Sequence, residues 1–426
     1  MRRREGKRKK YLTLVPDGMA DYPLDRLGGK TPLMVADTPN MDLLTKKGRC
    51  GLAKTVPDGM EPGSDIANFS IMGYDSSYFT GRGAFEAASM GVKLGEGDVA
   101  FRCNLVTEEE GILKDYSADH ITSEEGRTLI EEVDKKIGRR YGVEFFPGVS
   151  YRHLMVIRGC FNEMDMDKHE SSIRDMPKIR RIFEHIECTP PHNIVGERME
   201  ENLPMGDLKD LMRNLILGSK DLLDDNPINV KRRNEGKNPG NMIWPWGWGK
   251  KPNIPTYQEL YGIEGSVITA VDLIKGIGIC AGLDVIEVPG ATGYTDTNFS
   301  GKAKYALKSL EDKEFVFLHV EATDEMGHEG NLDGKIDAIE RFDKEIVGSI
   351  LDGLEDFSLL LLPDHPTPIE LRRHTSDPVP FLLYRDKNYS PDDVGEFNEE
   401  SVKGGYFGTL DATRLVSILF GSRKSR

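Results

Sequence analysis

The sequence has few cysteines, no long apolar run and a shortage of positive charge, and each shortage excludes a class of protein. The five cysteines are scattered and none forms a CxxC pair, which argues against a disulfide framework and against a thiolate zinc site. No apolar run approaches the roughly 20 residues of a membrane-spanning helix, and the first residues lack the apolar segment of a secretory signal. We therefore expect a cytoplasmic protein with reduced cysteines and no membrane partner.

Acidic residues outnumber basic ones, 71 to 56, which gives a formal net charge of -15 at pH 7. This balance argues against nucleic acid as a partner. An anionic small-molecule substrate would therefore need local positive charge from metal ions or arginines. Residues 1–10 are basic but show no periodicity, so we interpret them as a solubilising tail, with contact to nucleic acid or a partner as the alternative.

The length of 426 residues suits two domains. Strands and helices alternate from residue 11 to residue 74 and again from 241 to 426, where a last helix is predicted over 410–420. This rhythm predicts a doubly wound, mostly parallel α/β sheet. The intervening residues 75–240 are rich in β-prone segments that break the alternation, so we expect an inserted, smaller α+β domain there.

The three tryptophans of the chain, Trp244, Trp246 and Trp248, all lie in the run WPWGWG, in the boundary just after this insertion. An exposed cluster of this kind would form a stacking or interaction surface. We favour the alternative, a packed hinge or domain junction.

Carboxylates and imidazoles follow three of the predicted strands, at the points where 11–15, 314–320 and 358–362 end. They are Asp17, then Asp324 and His328, then Asp364 and His365, with His374 a little further on. Because the carboxyl ends of parallel strands share one edge of a sheet, these side chains are expected to meet there. Mixed carboxylate and imidazole ligands suit manganese, zinc or related divalent ions, and the repeated pattern indicates two metals.

Each of these residues also has an ordinary structural interpretation when taken alone. Asp17 is part of an Asp-Gly turn pair, and Asp324 could cap a helix. His365 could be a hydrogen-bonded core residue and His374 a surface residue. Their joint placement after three strands is what favours the metal sites.

Ser64 follows Pro62 and Gly63 at the predicted start of a helix. Backbone N–H groups and the helix dipole favour an anion at this position, so the hydroxyl is well placed beside a phosphate. Taken alone, Ser64 is better interpreted as an ordinary N-cap residue.

Together these motifs resemble the alkaline phosphatase superfamily. The resemblance rests on Asp-Gly after the first strand, Pro-Gly-Ser at a helix start, Asp-xxx-His, Asp-His, and a later histidine before TSDPVPF. Within that superfamily the chain is similar to the archaeal type of cofactor-independent phosphoglycerate mutase. The similarity covers nearly the whole chain and includes the stretches VPDGMADYPL, EPGSDIANFSIMGYD, FRCNLVT, NMIWPWG and VEATDEMGHEG.

The resemblance implies two adjacent metal ions and a serine nucleophile. One ion would be held by Asp324, His328 and His374, and the other by Asp17, Asp364, His365 and Ser64. Manganese is the expected ion, with zinc, cobalt and magnesium as alternatives, and no 2,3-bisphosphoglycerate is required. Ser64 would accept the phosphoryl group of 3-phosphoglycerate, and the glycerate would recover it on its other hydroxyl to give 2-phosphoglycerate.

The same resemblance gives the insertion a role as a substrate-binding lid that retains glycerate and excludes water. Our candidates for the glycerate carboxylate are Arg102 and Arg152, with His120 as an acid or base. For these arginines, and for Arg82, a surface or structural ion pair is the alternative. Lys275 is a further candidate for contacting the phosphate.

Two other classes of function remain open on the sequence. A metal-dependent phosphatase or a phosphopentomutase of the same superfamily would share every metal ligand, whereas a non-catalytic binding protein predicts a damaged ligand set. A sulfatase is disfavoured because the residues around Ser64, GSDIA, lack the required cysteine and arginine. The sequence also leaves self-association as a homo-oligomer open.

Overall fold

The computed structural model describes residues 9–159, 186–385 and 390–421. The chain divides into two compact units, Met1–Phe79 with Asn253–Arg426, and Thr80–Pro252. The boundaries expected from sequence were 74/75 and 240/241. The second lies further along the chain because Met242–Lys250 forms a strand of the second unit. The predicted basic tail, residues 1–10, falls outside the described residues except at its last two positions.

The described residues form fifteen strands. They are β1 Lys10–Pro16, β2 Arg49–Lys54, β3 Val99–Glu109, β4 Ile112–Asp115, β5 Val143–Phe146, β6 Arg152–Ile157, β7 Ile186–Glu187, β8 Met205–Gly206, β9 Met242–Lys250, β10 Gly265–Ile268, β11 Asp284–Val285, β12 Phe315–Val320, β13 Phe357–Leu361, β14 Val379–Tyr384 and β15 Thr409–Asp411.

The same residues form fifteen α-helical segments. They are α1 Pro32–Val35, α2 Pro39–Thr45, α3 Ser64–Ile71, α4 Arg82–Ser89, α5 Ser123–Val133, α6 Arg139–Tyr141, α7 Lys209–Leu223, α8 Pro227–Asn234, α9 Tyr257–Tyr261, α10 Asp272–Cys280, α11 Phe299–Asp312, α12 Ala322–Glu329, α13 Leu332–Arg341, α14 Gly348–Gly353 and α15 Leu415–Phe420. Among the described residues, no helix combines the length and apolar character needed to cross a bilayer.

The first unit is built on an eight-stranded sheet with the order β11-β10-β12-β1-β13-β14-β2-β15. All neighbouring strands are parallel except the two pairs that β14 forms, with β13 and with β2. The central strands are buried along almost their whole length, as expected for a sheet covered on both faces. The predicted doubly wound, mostly parallel fold is therefore confirmed.

The register of the three central strands aligns the positions where they end. Val15 of β1 pairs with His319 of β12, and Leu14 pairs with Leu361 of β13. The residues that follow β1, β12 and β13 consequently emerge at the same edge of the sheet.

The helical stretch over 332–353 carries a buried apolar stripe, whereas one helix predicted from sequence is shorter than expected. The apolar stripe at Ile339, Phe342, Ile346 and Ile350 is buried, and the helix that carries it has a π-helical segment at Phe342–Val347. The prediction of a helix over 410–420 is wrong in its first half, because β15 pairs with β2 before α15 begins.

The second unit is an α+β fold around an antiparallel sheet. Its strand order is β4-β3-β6-β5, and β9 also pairs with β3. Each tryptophan of β9 donates its indole N–H within this unit: Trp244 to the Thr189 carbonyl at 2.9 Å, Trp246 to Asn104 Oδ1 at 3.1 Å, and Trp248 to the Ile186 carbonyl at 2.9 Å. The tryptophans are therefore packed residues of the second unit.

Candidate active site

Six of the predicted metal ligands meet at one edge of the large sheet. Asp17 follows β1, Asp324 and His328 lie on α12 immediately after β12, and Asp364 and His365 follow β13. His374 lies in the same connection, before β14. Apart from His328 and His374, these side chains are almost completely buried.

The first group consists of Asp324, His328 and His374. His328 Nε2 lies 3.3 Å from Asp324 Oδ2 and 2.8 Å from His374 Nε2, and His374 Nε2 lies 3.4 Å from Asp324 Oδ1. His328 Nδ1 donates to the Arg372 carbonyl at 3.0 Å, which leaves Nε2 to face the group. Two ring nitrogens at this separation require a shared proton or cation between them.

The pKa values of this group show how strongly its members interact. Burial alone would raise the pKa of Asp324, but the contacts with His328 and His374 lower it well below its ordinary value. Burial lowers the pKa of His328, whereas the contact with Asp324 raises it to a net value of about 9. Positive charge is therefore stabilised at this position.

The second group consists of Asp17, Asp364, His365 and Ser64. Ser64, the first residue of α3, places Oγ 3.2 Å from His365 Nε2. The same ring nitrogen lies 3.5 Å from Asp17 Oδ1 and 3.5 Å from Asp364 Oδ2. His365 also has a ligand atom within 4.8 Å of Asp324 and His374, so it stands between the two groups.

The donors at this edge suit divalent cations. Both carboxylate oxygens of Asp17 are buried and accept no hydrogen bond from the described residues. Burial, followed by repulsion from Asp364 and Asp324, raises the pKa of Asp17 well above its ordinary value. Three buried carboxylates with imidazole nitrogens among them provide the hard and borderline ligands that manganese and zinc accept.

Two neighbours that sequence reasoning missed hold Asp364 in place. Asn68 Nδ2 donates to Asp364 Oδ2 at 2.8 Å and to the Ser64 carbonyl at 2.8 Å. The Gly18 N–H donates to Asp364 Oδ1 at 3.1 Å. The position of Asn68, one helical turn after Ser64, is a signal that could have identified it. Gly18 has φ +62, and a Cβ there would lie 2.5 Å from Asp324 Oδ1, so glycine is required at this position.

His319 is a further buried residue that the sequence analysis did not single out. Its Nε2 lies 3.0 Å from Asp17 Oδ2, and its Nδ1 lies 3.2 Å from Thr269 Oγ1. Burial lowers the pKa of His319 to about 4, so the ring is neutral at pH 7. The buried Lys302 ammonium donates to the His319 carbonyl at 3.0 Å. The signal was present, because His319 is a polar residue inside an otherwise apolar strand.

The predicted substrate contacts fall into three separate settings. In the second unit, Arg102 is buried and pairs with Glu86 at 2.6 Å, the geometry of a structural ion pair. Exposed Arg152 and His120 both lie against the Tyr151 ring, at 4.5 Å and 5.7 Å from its centroid. In the first unit, Lys275 pairs with Glu287 at 2.9 Å.

Sequence and structure comparisons identify the family of the chain. The model of the 2,3-bisphosphoglycerate-independent phosphoglycerate mutase family matches residues 45–229. A protein of that name from Methanosarcina acetivorans is 51% identical over 96% of this chain and 99% of its own length. The chain belongs to the 2,3-bisphosphoglycerate-independent phosphoglycerate mutase family. A second member, from Methanothermobacter thermautotrophicus, is 48% identical over 96% of this chain and 97% of its own length.

Two solved structures are similar to this chain over nearly its whole length. The PH0037 protein from Pyrococcus horikoshii matches with a TM-score of 0.79 and 30% identity, covering 99% of this chain and 100% of that one. The cofactor-independent phosphoglycerate mutase from Thermoplasma acidophilum matches with a TM-score of 0.60 and 25% identity, covering 97% and 99%. Both similarities span the two units of this phosphoglycerate mutase family member.

Proposed function

We propose that the chain interconverts 3-phosphoglycerate and 2-phosphoglycerate through a phosphoserine at Ser64, without 2,3-bisphosphoglycerate. The observation that carries this proposal is the Ser64 hydroxyl, 3.2 Å from His365 Nε2, at a sheet edge that gathers three buried carboxylates. Family membership supports the mutase reaction over the phosphatase and phosphopentomutase alternatives.

Two divalent ions, with manganese as our first choice, are the proposed cofactors. Asp324, His328 and His374 would hold one, and Asp17, Asp364, His365 and Ser64 the other. When bound, such ions lower the pKa of a nearby hydroxyl and neutralise the oxygens of the phosphoryl group. The buried oxygens of Asp17, which accept no hydrogen bond from the described residues, and the close approach of His328 Nε2 to His374 Nε2 support this assignment.

Ser64 Oγ attacks the phosphorus of the substrate, and the bond from phosphorus to O3 of glycerate breaks. The proton that Ser64 loses is balanced by the proton that the departing glycerate hydroxyl gains. In the second half of the reaction, O2 of glycerate attacks the phosphoserine and the hydroxyl of Ser64 is restored. Because α3 begins at Ser64, the backbone N–H groups of its first turn favour the anionic phosphoryl group.

The second unit is proposed to bind glycerate and so to retain it between the two half-reactions. Arg152 and His120, both beside the Tyr151 ring, are our candidates for its carboxylate and for proton transfer. Arg102 stays a candidate, although its pairing with Glu86 fits a supporting position better. Lys275 would contact the phosphate only if its pair with Glu287 opened.

The proposed partner is therefore a small phosphorylated anion, and we place the reaction in the cytoplasm. The formal net charge of -15 gives no support for nucleic acid as a further partner. No feature of the described residues argues for a membrane partner.

Product analysis tests the proposal directly. The purified protein is incubated with 3-phosphoglycerate and manganese, without 2,3-bisphosphoglycerate, and 2-phosphoglycerate and free phosphate are both quantified. We expect 2-phosphoglycerate at the equilibrium ratio with little phosphate. Release of phosphate alone would replace the mutase by a hydrolase.

A further inference from the structure

Thr367 lies between the two groups of proposed metal ligands. It follows His365 by two residues and is fully buried. Its Oγ1 donates a hydrogen bond to Oδ1 of Asp324, which belongs to the first group. The same oxygen lies 3.3 Å from Nδ1 of His365, which belongs to the second group.

The direction of both hydrogen bonds follows from the single proton of the Thr367 hydroxyl. A hydroxyl has one proton, and an ionised carboxylate can only accept, so Thr367 gives its proton to Asp324. The bond to His365 must then run the other way, with Nδ1–H as the donor. The neutral ring of His365 therefore carries no proton on Nε2, the atom that faces Ser64, Asp17 and Asp364.

The backbone of Thr367 is itself held from two sides. Its N–H donates to the Ala20 carbonyl at 3.2 Å, and its carbonyl accepts from the buried ammonium of Lys335 at 2.9 Å. The same ammonium is 2.7 Å from Asp21 Oδ2. Thr367 is thereby tied to the segment that follows Asp17.

Two glycines leave the space that Thr367 occupies. A Cβ on Gly18 would lie 2.6 Å from Thr367 Oγ1, and a Cβ on Gly327 would lie 2.4 Å from the Thr367 carbonyl oxygen. Glycine at both positions is therefore what allows Thr367 to pack this close to the segment after β1 and to α12. The hydroxyl of Thr367 accordingly lies between Asp324 and His365.

We propose that Thr367 is a positioning residue that couples the two metal sites, by orienting Asp324 in one and by presenting the unprotonated Nε2 of His365 to the other. This inference rests on the proposed metal ligands. Hydrogen-bond partners of ligating groups typically change metal affinity 10–100-fold when they are removed. Because one hydroxyl serves a ligand of each group, its loss should weaken both sites.

The test compares Thr367→Val, which removes the hydroxyl at nearly constant shape, with Thr367→Ser, which keeps it. Manganese binding is measured by calorimetry. We expect Thr367→Val to bind manganese 10–100-fold more weakly, whereas Thr367→Ser stays within about threefold of the original protein. Thr45→Val is the matched control, since Thr45 is equally buried in the first unit but its hydroxyl donates to the Met41 carbonyl.

Nitrogen NMR of histidine-labelled protein gives a second readout that a purely structural role would not change. In the protein loaded with magnesium or zinc, we expect the proton of His365 on Nδ1, with the signal assigned by its loss in His365→Asn. A proton on Nε2, or equal manganese affinity in Thr367→Val and Thr367→Ser, would overturn the inference. If 3-phosphoglycerate gave only free phosphate while the Val and Ser variants still differed in affinity, the mutase proposal would fail and the role of Thr367 would stand.

Discussion

Buried charge is arranged in opposite ways at the edge of the large sheet and in the second unit. In the second unit, Arg102 Nη1 meets Glu86 at 2.6 Å, and Arg232 Nη1 meets Glu125 at 2.8 Å. At the sheet edge, both oxygens of Asp17 accept no hydrogen bond from the described residues. The second unit neutralises these charges with its own side chains, whereas we propose that divalent cations neutralise the carboxylates at the sheet edge.

The variant expected to have the largest effect on activity is Ser64→Ala. Removing the proposed nucleophile should lower turnover by roughly 10⁴-fold or more, because the covalent route is lost. Manganese content should stay close to that of the original protein, since Asp17, Asp364 and His365 remain. Ser70→Ala on the same helix is the control, because the Ser70 hydroxyl donates to the Ile66 carbonyl. Substantial turnover in Ser64→Ala would rule out the phosphoserine.

His374→Ala tests whether the sheet edge holds two separable ions. The variant removes a proposed ligand of the Asp324 group, so manganese content should fall from about two ions per chain to about one. Metal analysis after gel filtration measures this ratio. His192→Ala in the second unit is the histidine control. Loss of both ions in His374→Ala would mean that the two groups form one indivisible site.

Glu86→Gln tests the other half of this comparison, the buried ion pair of the second unit. It leaves the Arg102 guanidinium buried without its carboxylate, at a cost of about 3–5 kcal/mol. All three tryptophans lie in the second unit, so their fluorescence during urea unfolding reports on that unit. Manganese affinity should not change. Glu131→Gln is the control, because it breaks an exposed pair with Arg127 at 3.8 Å and should cost less than about 1 kcal/mol. Equal losses of stability in the two variants would show that the second unit does not depend on the buried pair of Arg102 and Glu86.

His153 should have a smaller effect on the stability of the second unit, and this effect depends on pH. Burial lowers the pKa of His153 to about 3, and its Nδ1 accepts from the Gly148 N–H at 3.1 Å. The pKa of His153 in the folded protein lies below its unfolded value of about 6.5. The contribution of the neutral ring to the free energy of unfolding is therefore complete above pH 6.5 and is lost as pH falls toward 3. The loss is at most about 1.4 kcal/mol per pH unit.

His153→Asn keeps an acceptor for Gly148 but cannot titrate. Urea unfolding followed by tryptophan fluorescence should therefore show a shallower loss of stability between pH 6 and pH 4 for this variant than for the original protein. Identical pH profiles for the two proteins would show that His153 does not titrate as its burial implies.

The sequence carries a strong signal wherever apolar strands end in carboxylates or imidazoles. The strands that precede Asp17, Asp324 and Asp364 are continuous apolar runs, so the parallel sheet and its functional edge could be predicted. The signal is weaker where strand residues resemble a loop. The prolines and glycines of Met242–Lys250 hid β9, although the segment pairs with β3.

Supporting residues were missed because their roles depend on contacts between distant segments. The sequence marks Asn68 by its helical spacing from Ser64 and His319 as a polar residue in an apolar strand, but their contacts with Asp364 and Asp17 join distant segments of the chain. Thr367 contacts Asp324 across 43 positions of sequence. No local sequence pattern indicates such a contact, since a threonine after a strand is common in any fold.

The antiparallel strand β14 has a consequence for how this protein can vary. A parallel strand after β13 would have required a crossover to the opposite edge of the sheet before the chain could pair again. Because β14 runs back instead, the connection over 362–378 begins and ends at the same edge, and His365 and His374 share one uninterrupted loop. The two imidazoles already stack, with ring centroids 3.9 Å apart, so this loop closes on itself and places one proposed ligand of each metal group side by side. Residues can therefore be added or removed in the middle of the loop only if its two ends still meet.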